Sequence, residues 1–211
     1  MIHRRVFFGA AVGLLLAVGV VGQANADSHQ LGSEKFITSL THNAVASLTD
    51  QSATRSVRID RFRVMFRENF AVRSIGKFVL GRNWEKATED EQKSYLVLFE
   101  DLMIVTYVDR FAKYAGEALM VIKSRAEGDN VVTVFSTIAR PGGAAPIRVN
   151  WKVGHSGPVY KILDVVVEGA SMSATLRSDF GSIVRRNGKG IAGLIDELRI
   201  KTAALKAEVA K

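Results

Sequence analysis

Near Gly116 the spacing of apolar residues changes from steps of three and four to alternation, which confines helices and sheet to separate stretches of the chain. Upstream, Phe36, Ile37, Leu40, Ala44, Val45 and Leu48 share one helical face after a start at Ser33. Ile59, Phe62 and Phe66 make a second face, and Val72, Ile75, Phe78 and Val79 a third. Thr88-Glu89-Asp90-Glu91 predicts a capping box: the Thr88 hydroxyl accepts from the Glu91 N–H, Glu91 reaches back, and three acids face the positive end of the helix. Leu96, Phe99, Met103, Tyr107, Phe111 and Tyr114 then form one long stripe, with Gly116 placed as a left-handed C-terminal cap.

Downstream, residues 118–123, 131–139, 147–153 and 160–167 read as four strands, and the short polar turns between them favour antiparallel neighbours. In the third strand Ile147, Val149, Trp151 and Val153 point one way and Arg148, Asn150 and Lys152 the other, so one sheet face is dry and one wet. Two helices, about 174–186 and 191–206, close the chain around an Asn187-Gly188-Lys189-Gly190 turn. The expected fold is α+β, with N-terminal helices, a four-stranded antiparallel curved sheet and C-terminal helices. A sheet against a long aromatic helix makes either a tight core or a cavity between layers, and periodicity leaves both open.

The first 26 residues read as an export signal. His3, Arg4 and Arg5 precede an apolar run over 6–22, and Ala24-Asn25-Ala26 is an A-x-A cleavage site before Asp27. The run is at the short edge of what spans a bilayer. Residues 27–211 are then a single domain outside the cytoplasm, long enough to bury about 70% of the unfolded chain's surface. With no cysteine, the fold holds without disulfides and has neither a thiolate nucleophile nor a thiolate metal site. Taking Arg4 and Arg5 from the formal +8 leaves +6. In an exported chain this points to anionic headgroups or acidic protein faces and not to nucleic acid.

Chemistry-bearing motifs are sparse. His29, His42 and His155 lack metal-ligand spacing, and neither a nucleophile elbow nor a phosphate-cradling loop occurs, so neither a metal nor a cofactor is expected. Asp164 and Glu168 admit two readings. Either is a general base of a small cone-shaped isomerase or dehydratase, or both pair with cations such as Arg177 or accept backbone N–H groups at the turn into the next helix. Ser171 and Ser173 sit where helix caps are wanted.

Two blocks carry a family resemblance. The first runs from Phe70-Ala71-Val72 through Leu80-Gly81-Arg82-Asn83-Trp84-Glu85-Lys86-Ala87-Thr88 to Gln92, Tyr95 and Phe99. The second is Tyr160-Lys161-Ile162-Leu163-Asp164-Val165-Val166-Val167-Glu168-Gly169-Ala170-Ser171, continued by Arg177, Phe180 and 190–198. Together they resemble the MlaC family, whose members are periplasmic lipid carriers also called toluene-tolerance or auxiliary organic-solvent resistance proteins. The resemblance implies a cone similar to nuclear transport factor 2 with an internal lipid pocket. It also implies phospholipid traffic between an outer-membrane lipoprotein–porin complex and an inner-membrane ABC transporter with its substrate-binding subunit. A hopanoid is the alternative cargo, as in one subgroup.

A carrier must enclose acyl chains. A diacyl lipid exposes on the order of 30 methylenes, roughly 24 kcal/mol of unfavourable hydration at about 0.8 kcal/mol each. The expected walls are Leu96, Phe99, Met103, Tyr107 and Phe111 on the long helix, facing Val132, Val134, Ile147, Val149, Trp151 and Ile162 on the sheet. Lys and Arg near the mouth would attract the headgroup phosphate.

Overall fold

The structure, a computed structural model, describes residues 20–50, 52–112 and 118–207; the side chains of 20–26, 111–112 and 141 lie outside that description. Thus most of the expected export signal, the Gly116 cap and the Phe111 side chain are outside the described residues. No helix among the described residues is long and apolar enough to cross a membrane.

Four helices come first: α1 (Val20–Leu48), α2 (Arg55–Asn69), α3 (Val72–Leu80) and, after a 3-10 turn over Gly81–Lys86, α4 (Glu89–Ala112). Four strands follow, β1 (Leu119–Ala126), β2 (Val131–Ile138), β3 (Ile147–Ser156) and β4 (Val159–Val167), and then a two-residue β5 (Ala170–Ser171). Helices α5 (Met172–Arg186) and α6 (Gly190–Ala207) end the described chain. The architecture is the expected α+β one, with a fifth short strand. All strands pair antiparallel in chain order, so the sheet is a simple meander.

Local chemistry accounts for the joints. The Thr88 N–H donates to Glu91 Oε2 at 2.9 Å and the Glu91 N–H donates to Thr88 Oγ1 at 3.2 Å, the reciprocal box expected at the start of α4. Gly81, after α3, has φ 59°, and the Arg177 guanidinium packs where its Cβ would stand. Helix α1 differs from expectation, since it does not begin at Ser33. The Ser33 hydroxyl donates to the His29 carbonyl at 2.8 Å, bonding back one turn within a helix instead of capping one.

Two apolar clusters result. The larger is helical, made by α2 through α6 with the end of α1: Leu48, Phe62, Phe66, Val79, Trp84, Tyr95, Phe99, Phe180, Leu194 and Leu198 are all nearly fully buried. The second lies on the dry face of the sheet. There Val132, Val134, Val153 and Ile162 meet Ile37 and Leu40 of α1, with Phe36, Met65 and Trp151 partly buried around them. The α2–α3 joint is pinned to this layer, because the Ala71 N–H donates to the Ile162 carbonyl at 2.9 Å.

Candidate functional site

Alternation in β2 and β3 puts Val132, Val134 and Ser136 opposite Val153, Trp151 and Val149, so their side chains share the inner face. Trp151 is oriented by its indole N–H, which donates to Ser136 Oγ at 3.0 Å while Ser136 donates to the Val149 carbonyl at 2.7 Å. This leaves a broad aliphatic surface with its polar atoms paired.

The helix covering that surface is α1, which lies across β1 to β3, whereas α4 packs on α6 and α2. Over its described residues, the α4 stripe expected to face the sheet packs among helices instead. Leu96, Phe99, Met103 and Tyr107 all belong to the helical cluster, and Val132, Val134, Trp151 and Ile162 to the sheet-side one. Val149 is buried and Ile147 half-buried farther along β3, outside both clusters. The reason is competition between faces. The apolar sides of α2 and α6 already match the α4 stripe, while Ile37 and Leu40 of α1 pack in the sheet-side cluster. Burial raises the pKa of both Tyr95, whose hydroxyl donates to the Gly76 carbonyl at 3.0 Å, and Tyr107.

Open space lies along α1. A groove of about 530 Å³ separates α1 from α2, with Phe36, Leu40, Val64 and Met65 as its apolar lining. Phe36, Leu40 and Met65 also belong to the sheet-side cluster, so these three side chains separate the groove from that layer. A second cavity of about 370 Å³, between α1 and β1, is bordered by Leu31, Lys35, Val121 and Ile122.

The charge at the groove differs from expectation. Asp60 and Glu68 line it against a single cation, Arg61, which donates to Asp50 at 3.1 Å and to the Ser47 carbonyl at 3.0 Å. Hydrogen bonds from Ser52 and Arg61 hold the Asp50 carboxyl at about 2. Attraction of phosphate by Lys and Arg is not built into this mouth.

Neither carboxylate considered as a base is set up as one. Asp164 accepts from the Val165 and Ser173 N–H groups at 2.9 and 3.0 Å and from the Ser171 hydroxyl at 2.5 Å, tying down the start of α5. Glu168 accepts from the Arg148 backbone N–H at 2.5 Å and pairs with its guanidinium at 3.3 Å, which lowers its pKa. Arg177 is elsewhere, stacked 4.9 Å over Phe78. Among the described residues, no group of three or more His, Asp or Glu side chains could hold a metal.

A curved antiparallel sheet with α1 across its aliphatic face, a helical cluster beside it and an open groove between α1 and α2 defines an α+β protein. The sequence model described as MlaC protein matches residues 38–200, and the chain belongs to that family. It is similar to the intermembrane phospholipid transport system binding protein MlaC of Haemophilus influenzae, 24% identical over 127 residues. That match covers 59% of this chain and 58% of the relative's length. In fold it is similar to a phospholipid-binding protein from Ralstonia solanacearum solved in complex with a phospholipid. That likeness has a TM-score of 0.71 at 21% identity, over 82% of this chain and 97% of that one.

Residues that sequence reasoning left out of the site are Phe36, Ile37, Leu40, Met65, Val121 and Val153. The α1 stripe was visible in the periodicity, but nothing in spacing alone says which of two apolar helices covers a sheet.

Proposed function

We propose that the protein is a non-enzymatic periplasmic carrier whose pocket takes the acyl chains of a phospholipid between α1 and the dry face of the sheet. The observation that carries the reading is the sheet-side cluster itself. It is an aliphatic layer covered by α1, and three of its side chains, Phe36, Leu40 and Met65, also line a groove of about 530 Å³, a volume within the usual range for ligand pockets, about 300–1,000 Å³. Family membership and the phospholipid named for both relatives support the cargo class.

The groove is open, so offsetting roughly 24 kcal/mol of lipid hydration requires the space to widen and α1 to shift from the sheet as chains enter. Val132, Val134, Ile147, Val149, Trp151 and Ile162 would line one side, with Phe36, Leu40 and Met65 opposite. Leu96, Phe99, Met103 and Tyr107 are then support rather than wall, and Phe111 of the expected set lies outside the described side chains. Nothing in the chain supplies energy, so direction is set at the two ends: an outer-membrane lipoprotein–porin complex and an inner-membrane ABC transporter with its substrate-binding subunit. The chain is exported to the periplasm, with its signal peptide cleaved after Ala26.

The test is chemical. Protein purified from the periplasm is extracted with solvent, the extract weighed by mass spectrometry, and the stripped protein offered labelled vesicles. Stoichiometric phospholipid and its transfer are expected. A protein that carries no lipid and accepts none is not a carrier, and a polycyclic mass would replace phospholipid by hopanoid.

A further inference from the structure

At one end of the sheet α1 is fastened by aromatic rings, two of which are imidazoles. His29 of α1 stacks on His155 of β3 with centroids 3.7 Å apart and planes 16° from parallel. Tyr160, the cross-strand partner of His155, places its hydroxyl 3.4 Å from His29 Nδ1. Phe36, two turns farther along the same face of α1, stacks on the same tyrosine at 6.0 Å. Gly32 lets the helix lie this close, because the Tyr160 hydroxyl occupies the place of a Cβ.

We propose that the His29–His155 stack is a proton-operated latch on α1: neutral rings hold the helix against the β3–β4 hairpin, and protonation of both releases it from the sheet. This rests on the carrier reading for its purpose, since the residues α1 would uncover are those of the proposed lipid pocket. Two imidazolium rings at this separation repel. Among the described residues, no carboxylate bonds to either ring.

The charged and hydroxyl-bearing groups on the elements around the stack come from three of them. On α1 they are Asp27, which accepts from Gln30 at 3.5 Å, and Glu34. On β4 they are Tyr160 and Lys161, the latter donating to the Arg67 and Glu68 carbonyls. In the β1–β2 turn Asp129 precedes Asn130, whose carbonyl accepts the His155 N–H at 3.0 Å. Cleavage after Ala26 adds an amino terminus at Asp27, a further positive charge two residues from His29.

Burial, and then the charge on His29, lower the pKa of His155. The fold therefore favours its neutral form. The clamp is intact above the unfolded value of about 6.5 and is lost as pH falls below it. Phe36 connects the latch to the groove, because it both stacks on Tyr160 and lines the opening between α1 and α2.

Hydrogen exchange of amides 30–42 at pH 7.5 and 5.5, corrected for intrinsic rates, reads the latch in protein purified from the periplasm. We expect α1 to exchange about tenfold faster at pH 5.5. The double variant His29→Phe/His155→Phe, which keeps a stacked pair that cannot titrate, should show no such change. An equal response in both proteins, or none in the wild type, overturns the latch. Should the variant not fold, ring-proton NMR of the wild type decides: the two histidines must titrate in the window where α1 opens, and titration without opening refutes the proposal. Lipid content is measured in parallel. Opening in a chain that carries no lipid supports the latch and removes the carrier, whereas a lipid-loaded chain with unresponsive α1 removes only the latch.

Discussion

Replacing Phe99 by Ala separates a core wall from a pocket wall. Phe99 is 1% exposed, lies 5.9 Å from the Tyr95 ring and belongs to the helical cluster. Truncation of such a side chain costs about 3–5 kcal/mol through lost burial and the cavity left behind. For a domain of this length each kcal/mol lowers Tm by about 2–4 °C, so a fall of about 6–20 °C is expected. Both the measurement and its control use lipid-stripped protein, because bound ligand raises Tm by mass action. The control is Val64→Glu, at a groove residue that is 55% exposed. An exposed substitution changes stability by within about 0.5 kcal/mol, yet it places a carboxylate where acyl chain would pass, and desolvating that group is costly. Thermal unfolding and lipid content should therefore move oppositely in the two variants. Phe99→Ala should lose stability and, where folded, keep its lipid; Val64→Glu should keep stability and lose lipid. A Phe99→Ala protein with unchanged Tm and no lipid, or a Val64→Glu protein with its full complement, would refute the assignment of the two layers.

Three further outcomes follow from particular contacts. Thr88→Ala removes the cap at the start of α4 and should cost about 1 kcal/mol, read as a Tm lower by about 2–4 °C with lipid content unchanged. Asp164→Asn should loosen α5 by about 1–2 kcal/mol in urea unfolding without changing lipid transfer; a transfer rate that vanished in a stable variant would restore a functional role for this acid. Asp101 is half-exposed to opposing influences: burial raises its pKa, but hydrogen bonds from Arg63 and Lys206 outweigh it and the net shift is downward. Its contribution is thus present above the unfolded value of about 3.9 and is lost as pH falls through the lower folded one. Acid unfolding of Asp101→Asn should be the less pH-dependent of the pair, and identical acid profiles would contradict this.

Features set by neighbouring residues were the most legible in the sequence. The Thr88–Glu91 box, the Ser171 cap of α5, the Asn187–Gly190 turn and the inward side of β3 all depend on contacts a few residues apart or on alternation, and each stands as expected. The α+β order was legible for the same reason, as was the family from its two blocks. What was not legible was long-range choice. Phe99 and Leu40 both sit on apolar helical stripes, and only the packed molecule shows that α4 meets α6 while α1 meets the sheet. His29 and His155 are separated by most of the chain, and neither has spacing that hints at the other. The start of α1 was misplaced because Ser33 is chemically suited to a cap but, buried within the helix, bonds to His29 instead.

The two tryptophans offer a direct reading of where fatty tails go, because Trp84 is buried in the helical cluster and Trp151 lies in the sheet-side one. The stripped protein is loaded with a phospholipid brominated on its acyl chains, and fluorescence is recorded for Trp84→Phe and Trp151→Phe. The account predicts strong quenching in Trp84→Phe, where Trp151 reports, and almost none in Trp151→Phe. Quenching confined to Trp84, or none at either residue in a loaded protein, would contradict it.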